Sequence, residues 1–189
     1  MKPVDRSEIL PLGEYETIRE RFRARVIEEK RTRRVNLGPK ITCLFENHDT
    51  VLLQVQEMLR TERITREAAI AHEIETYNEL LPGEGELSCT AMIEIPEKEE
   101  RDAFLAAAVG IESGFSIEVG GERCPGRITE DRKLTDQASA VMYLKFSLTP
   151  AARAALESGA TLRVAHPAYE ATTPLTPALA RSLADELAS

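Results

Sequence analysis

Apolar residues recur at helical spacing in the first half of the chain. After Gly13 they lie three and four residues apart, as one face of an α-helix requires, at Tyr15, Ile18, Phe22 and Val26. We therefore predict a helix from Gly13 to about Lys30. The next segment, RRVNLGPKITCLFE, has two β-favouring runs around the turn residues Gly38 and Pro39, which predicts a β-hairpin.

Two further amphipathic segments precede residue 82. The first begins at a capping residue, Asp49 or Thr50, and ends near Arg63, whereas Thr65 caps the second. Each has one apolar stripe, formed by Val51, Val55, Met58 and Leu59 in the first segment and by Ile70, Ile74, Tyr77 and Leu81 in the second. We predict that the two segments form a helical hairpin.

Strands alternate with short helices after the loop segment LLPGEGELS. The predicted strands are SCTAMIEI, FSIEV, ERCPGRIT, AVMYLKFSL and TLRVAH. Pro125 interrupts the third of them, which predicts an edge strand or a bulge. The predicted helices of this half begin at Pro96, at Pro150 and after the capping residue Thr176.

These patterns predict an α+β protein with a mixed, mostly antiparallel sheet, an N-terminal helical and hairpin region and a C-terminal helix. A chain of 189 residues with 42% hydrophobic residues can bury an ordinary core. We predict one domain over residues 1–189. The alternative is a subdivision into a basic helical and hairpin part, 1–82, and a strand-rich part, 88–189.

Composition argues against several classes of protein. No apolar run approaches the roughly 18 residues of a membrane-spanning helix, and the first residues lack the apolar stretch of a secretory signal. Cys43, Cys89 and Cys124 form no Cys-x-x-Cys pair, which argues against a disulfide framework, a zinc knuckle or an iron–sulfur cluster. We expect a cytoplasmic protein that does not insert into membranes and carries no cofactor or metal.

The distribution of charge is the most unusual feature of the sequence. The net charge is −8, but residues 19–40 hold nine basic and three acidic side chains, a net charge of +6. This segment is a candidate surface for an acidic protein, a small anion or a nucleic acid, and its candidate contacts are Arg19, Arg23, Arg33 and Arg34. The alternative is that these arginines form ion pairs elsewhere in the fold, for example with the acidic residues between Glu84 and Asp102. An aromatic content of only 5% argues against base stacking.

A row of long polar side chains follows one side of the second predicted helix. Gln56, Arg60 and Arg63 share a strip, and Glu57 can pair with Arg60 at a spacing of three residues. Such a row can bind a carboxylate or a phosphate through bidentate arginine contacts. The alternative interpretation is an ion-pair lattice within the helix.

His166 ends the predicted strand TLRVAH, and Pro167 can turn the chain so that Tyr169 returns toward it. A histidine in this position can act as an acid or a base, with Tyr169 as its helper, or as a single metal ligand, or it can be a hydrogen-bonded structural residue. His48 and His72 form no metal-binding motif with it.

The chain contains the phrases RRVNLGP, FEN, QVQEMLR and HPAY. In these phrases, and over nearly its whole length, it resembles the uncharacterised bacterial domain-of-unknown-function family 3501. The resemblance implies no activity, but the genes of the family often neighbour rubrerythrin-like and iron–sulfur oxidoreductase genes, which implies a redox or oxidative-stress setting. The chain lacks the cysteine sets of an iron–sulfur carrier and the paired Glu-x-x-His motifs of a di-iron carrier, so the implied role is that of an accessory subunit.

The resulting functional hypothesis is a cytoplasmic accessory protein that docks an acidic protein partner or a small anion through an arginine-rich surface. The implied partners are rubrerythrin-like or iron–sulfur oxidoreductase proteins, and a homodimer is a further association to consider. The alternative is an enzyme that acts on an anionic small molecule with His166 and Tyr169 as its acid–base pair. Nucleic-acid binding is the third hypothesis.

Overall fold

The computed structural model describes residues 1–128 and 137–188. The α-helices of this part are α1 (Leu12–Arg33), α2 (His48–Thr61), α3 (Glu67–Asn78), α4 (Lys98–Ala107), α5 (Pro150–Ala155) and α6 (Pro177–Ala188). The strands are β1 (Arg34–Leu37), β2 (Ile41–Phe45), β3 (Glu86–Ile93), β4 (Phe115–Val119), β5 (Glu122–Ile128), β6 (Val141–Ser147), β7 (Ala160–His166) and β8 (Tyr169–Pro174). Short 3-10 helices span Arg6–Glu8, Ile111–Gly114 and Leu156–Ser158.

The eight strands form one sheet in the order β1-β2-β3-β6-β5-β4-β7-β8, and each pair of neighbours is antiparallel. The predicted α+β class, the N-terminal helical and hairpin region and the C-terminal helix are confirmed. The β1–β2 hairpin lies within residues 1–82 but pairs with β3. The sheet therefore crosses the position at which the sequence suggested a subdivision.

Strand β5 changes partner in its middle. Residues 122–125 pair with β4, and residues 126–128 pair with β6. Pro125 is the last residue in register with β4, and it has no N–H to donate to a neighbouring strand. Of the two predicted alternatives, the edge strand is wrong, because β5 lies within the sheet, and the bulge stays a prediction. Thr129, the last residue of the predicted strand, lies outside the described residues.

The sheet curls until β8 lies beside β1, and side chains of β8 close this contact, which we call the seam. The Tyr169 hydroxyl donates to the Leu37 carbonyl at 2.7 Å and accepts from the Lys40 amide at 3.2 Å. The Thr173 hydroxyl donates to the Asn36 carbonyl at 2.8 Å. Strand β8 is an element that the sequence analysis did not predict.

The turn between β1 and β2 requires glycine for two reasons. Gly38 has a φ of +69°, a left-handed conformation that residues with a Cβ adopt at a cost. A Cβ at this position would also lie 2.3 Å from the hydroxyl oxygen of Tyr169, far inside a normal contact. The turn and the seam therefore depend on the same glycine.

The apolar residues form two cores. The first lies inside the curled sheet, where α6 also packs, and includes Phe45, Phe115, Phe146, Leu179 and Leu183. The second lies between the N-terminal segment, α2 and α3, and includes Val51, Val55, Leu59, Ile70 and Ile74. The predicted helical hairpin is confirmed. None of the described helices combines the length and the apolar character needed to span a membrane.

Capping residues explain where α2 and α6 begin. Asn47 is the N-cap of α2: its side chain accepts from the Thr50 amide at 3.0 Å, and the Thr50 hydroxyl accepts from the Asn47 amide at 2.9 Å. Neither Asp49 nor Thr50 is therefore the N-cap, although Thr50 forms half of the capping box. The predicted Thr176 cap is confirmed, because its hydroxyl accepts from the Leu179 amide at 3.2 Å.

Candidate functional site

The basic residues between 19 and 40 divide into two sets. Five form ion pairs: Arg19 with Glu57, Arg25 with Asp49, Arg31 with Glu28, Arg33 with Glu186, and Lys40 with Glu100. The other four form no ion pair within residues 1–128 and 137–188: Arg21, Arg23, Lys30 and Arg34. Of the five pairs, only that of Lys40 uses the acidic stretch between Glu84 and Asp102.

Glu57 joins α2 to α1. Its carboxylate accepts two hydrogen bonds of 2.7 Å from the Arg19 guanidinium and one of 2.6 Å from the Tyr15 hydroxyl. The Arg19 guanidinium, with help from Tyr15, lowers the pKa of Glu57 to about 2. Burial, together with the neighbouring carboxylate, raises the pKa of Tyr15. Arg60, the partner predicted for Glu57, instead donates to Glu16 at 2.6 Å.

The other members of the predicted polar row also have structural positions. Gln56 is buried and exchanges hydrogen bonds with the backbone of Leu10, which holds the N-terminal segment against α2. Arg63 follows α2 in a left-handed conformation, with a φ of 52°, and is exposed. The structure therefore does not bring Gln56, Glu57, Arg60 and Arg63 together as one binding row.

Arg33 is buried, with 2% of its surface exposed. Its guanidinium donates to the carbonyls of Phe45 and Glu46, to the Ser182 hydroxyl and to both oxygens of Glu186. It fastens the end of α1 to the end of β2 and to α6, so it does not belong to an exposed basic face. The spacing along the sequence indicates that Arg33 is buried, because positions 15, 22, 26 and 33 share one face of a helix.

One strip of α1, which is exposed at Arg23 and Ile27 and half-buried at Lys30, combines charge with an apolar residue. Arg23, Ile27 and Lys30 are spaced by four and three residues and lie within about 60° of one another around the helix axis. Arg34 follows directly after the helix. Ile27 exposes 41% of its surface, an unusual value for a large hydrophobic residue here. We call these four residues the α1 strip; their spacing is a signal that the sequence alone contains.

His166 and Tyr169 face each other across the β7–β8 hairpin. The His166 Nε2 atom lies 3.0 Å from the Val109 carbonyl oxygen, and Nδ1 accepts from the Ala168 amide at 3.2 Å. This pattern suits a neutral ring with its proton on Nε2. Tyr169 uses its hydroxyl in the seam, so both side chains have structural partners, and the acid–base hypothesis stays a prediction. Among the described residues, no group of three or more His, Cys, Asp or Glu side chains is placed to hold a metal ion.

Replacing Tyr169 with phenylalanine is expected to lower the free energy of unfolding by about 1 to 3 kcal/mol, because the Leu37 carbonyl and the Lys40 amide each lose a partner. Urea denaturation of the two proteins measures the difference. Tyr77→Phe is the matched control, since no hydrogen bond of the Tyr77 hydroxyl occurs in the described part of the chain. Equal stability of wild type and Tyr169→Phe would contradict the structural role.

A family model described as a protein of unknown function (DUF3501) matches residues 3–187. The chain belongs to this family. The DUF3501 chain is also similar to a crystal structure described as a novel protein of unknown function from Burkholderia pseudomallei, with 33% identity and a TM-score of 0.92 over 98% of this chain and 100% of the other. No match was found among curated proteins. The predicted resemblance is confirmed.

Proposed function

We propose that the protein is an accessory protein that docks an acidic segment of a protein partner on the α1 strip. The observation that carries the proposal is the arrangement of three cations without ion pairs in the described chain around one exposed isoleucine. Carboxylates of the partner pair with Arg23, Lys30 and Arg34, while one of its apolar side chains covers Ile27. Interfaces commonly combine an apolar centre with a charged rim in this way.

The charge of the remaining chain supports an acidic partner at this position. Residues 19–40 carry a net charge of +6, whereas the rest of the chain carries −14. An acidic partner is therefore repelled by most of the surface and attracted to α1, which orients its approach. The same attraction makes binding sensitive to ionic strength.

The cellular setting is also part of the proposal. Cys43, Cys89 and Cys124 are buried free thiols, which suits the reducing cytoplasm. The gene context of the DUF3501 family makes acidic proteins of rubrerythrin-like or iron–sulfur oxidoreductase type the first candidates as partners. A second copy of this chain is the competing partner, and light scattering of the purified protein tests it.

The double replacement of Arg23 and Lys30 with glutamate is expected to weaken binding of an acidic helical peptide at least about tenfold, because two attractive contacts become repulsive. The probe is a synthetic amphipathic peptide whose leucines are flanked by glutamates, titrated into the isotope-labelled protein. Amide shifts should concentrate on α1 and decrease between about 0.05 and about 0.5 M salt.

Two controls distinguish docking on the α1 strip from a nonspecific effect of net charge or of surface hydrophobicity. Arg31→Glu changes an exposed arginine of the same helix that already pairs with Glu28, so it should retain most of the binding. Ile27→Ser should weaken binding, whereas Val109→Ser should not, although the two residues are similarly exposed at 41% and 40%. Amide shifts that do not centre on α1, or binding unaffected by the double replacement or by salt, would refute the proposal. Tighter binding of a DNA duplex than of the peptide would assign the strip to nucleic acid instead.

A further inference from the structure

A cavity of about 540 Å³ lies between the loop before β3, the start of β3 and the last turns of α6. Its volume is in the range of small-molecule sites. The charged side chains in its lining are those of Glu46, Glu84, Glu86, Arg153 and Glu186. No residue of the α1 strip takes part in it, so this cavity is independent of the proposed docking surface.

Three of the five charged side chains in the lining already have an ion-pair partner or are solvated. Glu86 pairs with Arg127 at 2.7 Å, and Glu186 pairs with the buried Arg33. Glu84 is exposed at the rim, where water solvates it. The two that remain are Glu46 and Arg153, which carry opposite charges.

Glu46 is a buried carboxylate, with 3% of the residue exposed. It accepts hydrogen bonds from the hydroxyls of Thr50 and Thr90, each at 2.5 Å, and from the amide of Gln54 at 3.3 Å. All three donors are neutral, and Arg33 contacts the main-chain carbonyl of Glu46 rather than its carboxylate. No cationic nitrogen of the described residues lies within ion-pair distance of this carboxylate.

A buried carboxylate is costly unless a cation or a full set of hydrogen bonds compensates its charge. Two carboxylate oxygens offer about four acceptor positions, and the three neutral donors leave capacity on Oε1, which accepts one bond only. Glu46 is one of the residues that line the cavity, and a donor bound there is the candidate for this position. A cationic donor such as an ammonium group would also supply the missing opposite charge.

Arg153 is a cation whose guanidinium lacks an anionic partner among the described residues. Its Nε atom is buried but has no hydrogen-bond acceptor, and the guanidinium forms no ion pair in the part of the chain that the structure describes. The loop glycine Gly85 has a φ of +70°, and a Cβ there would lie 3.4 Å from the guanidinium carbon. A side chain at position 85 would therefore contact the Arg153 guanidinium, which has no ion-pair partner among the described residues.

We propose that this cavity binds a small aliphatic zwitterion, with the ammonium group at Glu46 and the carboxylate at Arg153. Leu87, Leu183 and Leu187 line the same cavity and provide apolar contacts for the aliphatic chain. Amino acids are the chemical class that combines these three features. Ligand binding gives the Arg153 guanidinium a carboxylate partner and neutralises the charge of the buried Glu46 carboxylate at once.

Calorimetric titration of the full chain tests the proposal. The probes are glycine, β-alanine and the longer ω-amino acids, each compared with the amine and the carboxylic acid of the same chain length. One chain length is expected to bind best, because the protein fixes the distance between the two charges. Each single-charge analogue is expected to bind at least about tenfold more weakly.

Two variants test which residue binds each charged end of the ligand. Arg153→Gln should weaken binding of the best zwitterion at least about tenfold and leave its affinity similar to that of the corresponding amine. Glu46→Gln should weaken binding of the best zwitterion and leave its affinity similar to that of the corresponding carboxylic acid. Because this change can also disturb the Thr50 and Thr90 contacts, Arg153→Gln is the deciding variant. Glu84→Gln is the control at the rim and should bind normally.

Three results would overturn the proposal. The first is the absence of binding by every zwitterion up to about 10 mM. The second is binding that Arg153→Gln leaves unchanged. The third is equally tight binding of a single-charge analogue. None of these results affects the docking proposal, because its probe and its variants are different.

Discussion

Replacing Arg33 with methionine is expected to lower the free energy of unfolding by about 3 to 5 kcal/mol, because one partner of a buried ion pair is removed. The change leaves Glu186 without its bidentate partner and removes the guanidinium donors from the carbonyls of Phe45 and Glu46. It also removes a fastening between α1 and α6. Guanidinium denaturation monitored by circular dichroism measures the loss.

Two further variants identify the cause of this loss. Arg33→Lys keeps the charge but cannot reproduce the planar fork of the guanidinium, so it should still destabilise the protein. Arg31→Met removes an exposed arginine of the same helix and should change stability by less than about 0.5 kcal/mol. Equal effects of Arg33→Met and Arg31→Met would contradict the buried network.

Acid is expected to remove a stabilising contribution of Glu57 between about pH 4.5 and pH 2. The folded pKa of about 2 lies below the usual 4.5, so the contribution is fully present above the usual value and is lost as the pH falls through the folded one. The side chain of Glu57 is 26% exposed, and after allowance for solvent screening the contribution is about 2 to 3 kcal/mol. The measurement is the unfolding free energy of wild type and Glu57→Gln across this range.

The difference between these two proteins is the informative quantity, because other carboxylates titrate in the same range and cancel in the comparison. Glu57→Gln should be the less stable protein at neutral pH, since Arg19 loses its charged partner. The two stabilities should converge near pH 2. A difference that stays constant from neutral pH to pH 2 would rule out the depressed pKa of Glu57.

The first half of the fold was predictable because local patterns determine it. The stripe that includes Tyr15, Phe22 and Val26 predicts α1 to within a few residues of its observed bounds, and Gly38 and Pro39 predict the β1–β2 turn. A local pattern does not specify long-range partners. Arg19 rather than Arg60 pairs with Glu57 because α1 crosses α2, and no spacing along the chain encodes that crossing.

Strand β8 was not predicted, because long-range contacts rather than a local pattern specify it. Its sequence, YEATTP, contains a proline and few large apolar residues, because neither face of the strand is fully buried. The strand is specified by its pairing with β7 and by the hydrogen bonds of Tyr169 and Thr173 to β1, which lies more than a hundred residues earlier. The contacts of Tyr169 in the seam depend on this strand, so the sequence pattern did not predict them either.

The way in which β8 meets β1 also governs how copies of this chain can associate. An open sheet presents two rows of unsatisfied backbone groups, which are templates for strand addition. Tyr169 and Thr173 instead occupy carbonyls of β1 within the same molecule. If this contact opened without global unfolding, the β1 edge of one molecule would be complementary to the β8 edge of the next. Such head-to-tail pairing is heterologous, so the product would be a closed ring where the rotation between copies closes and a growing fibre where it does not.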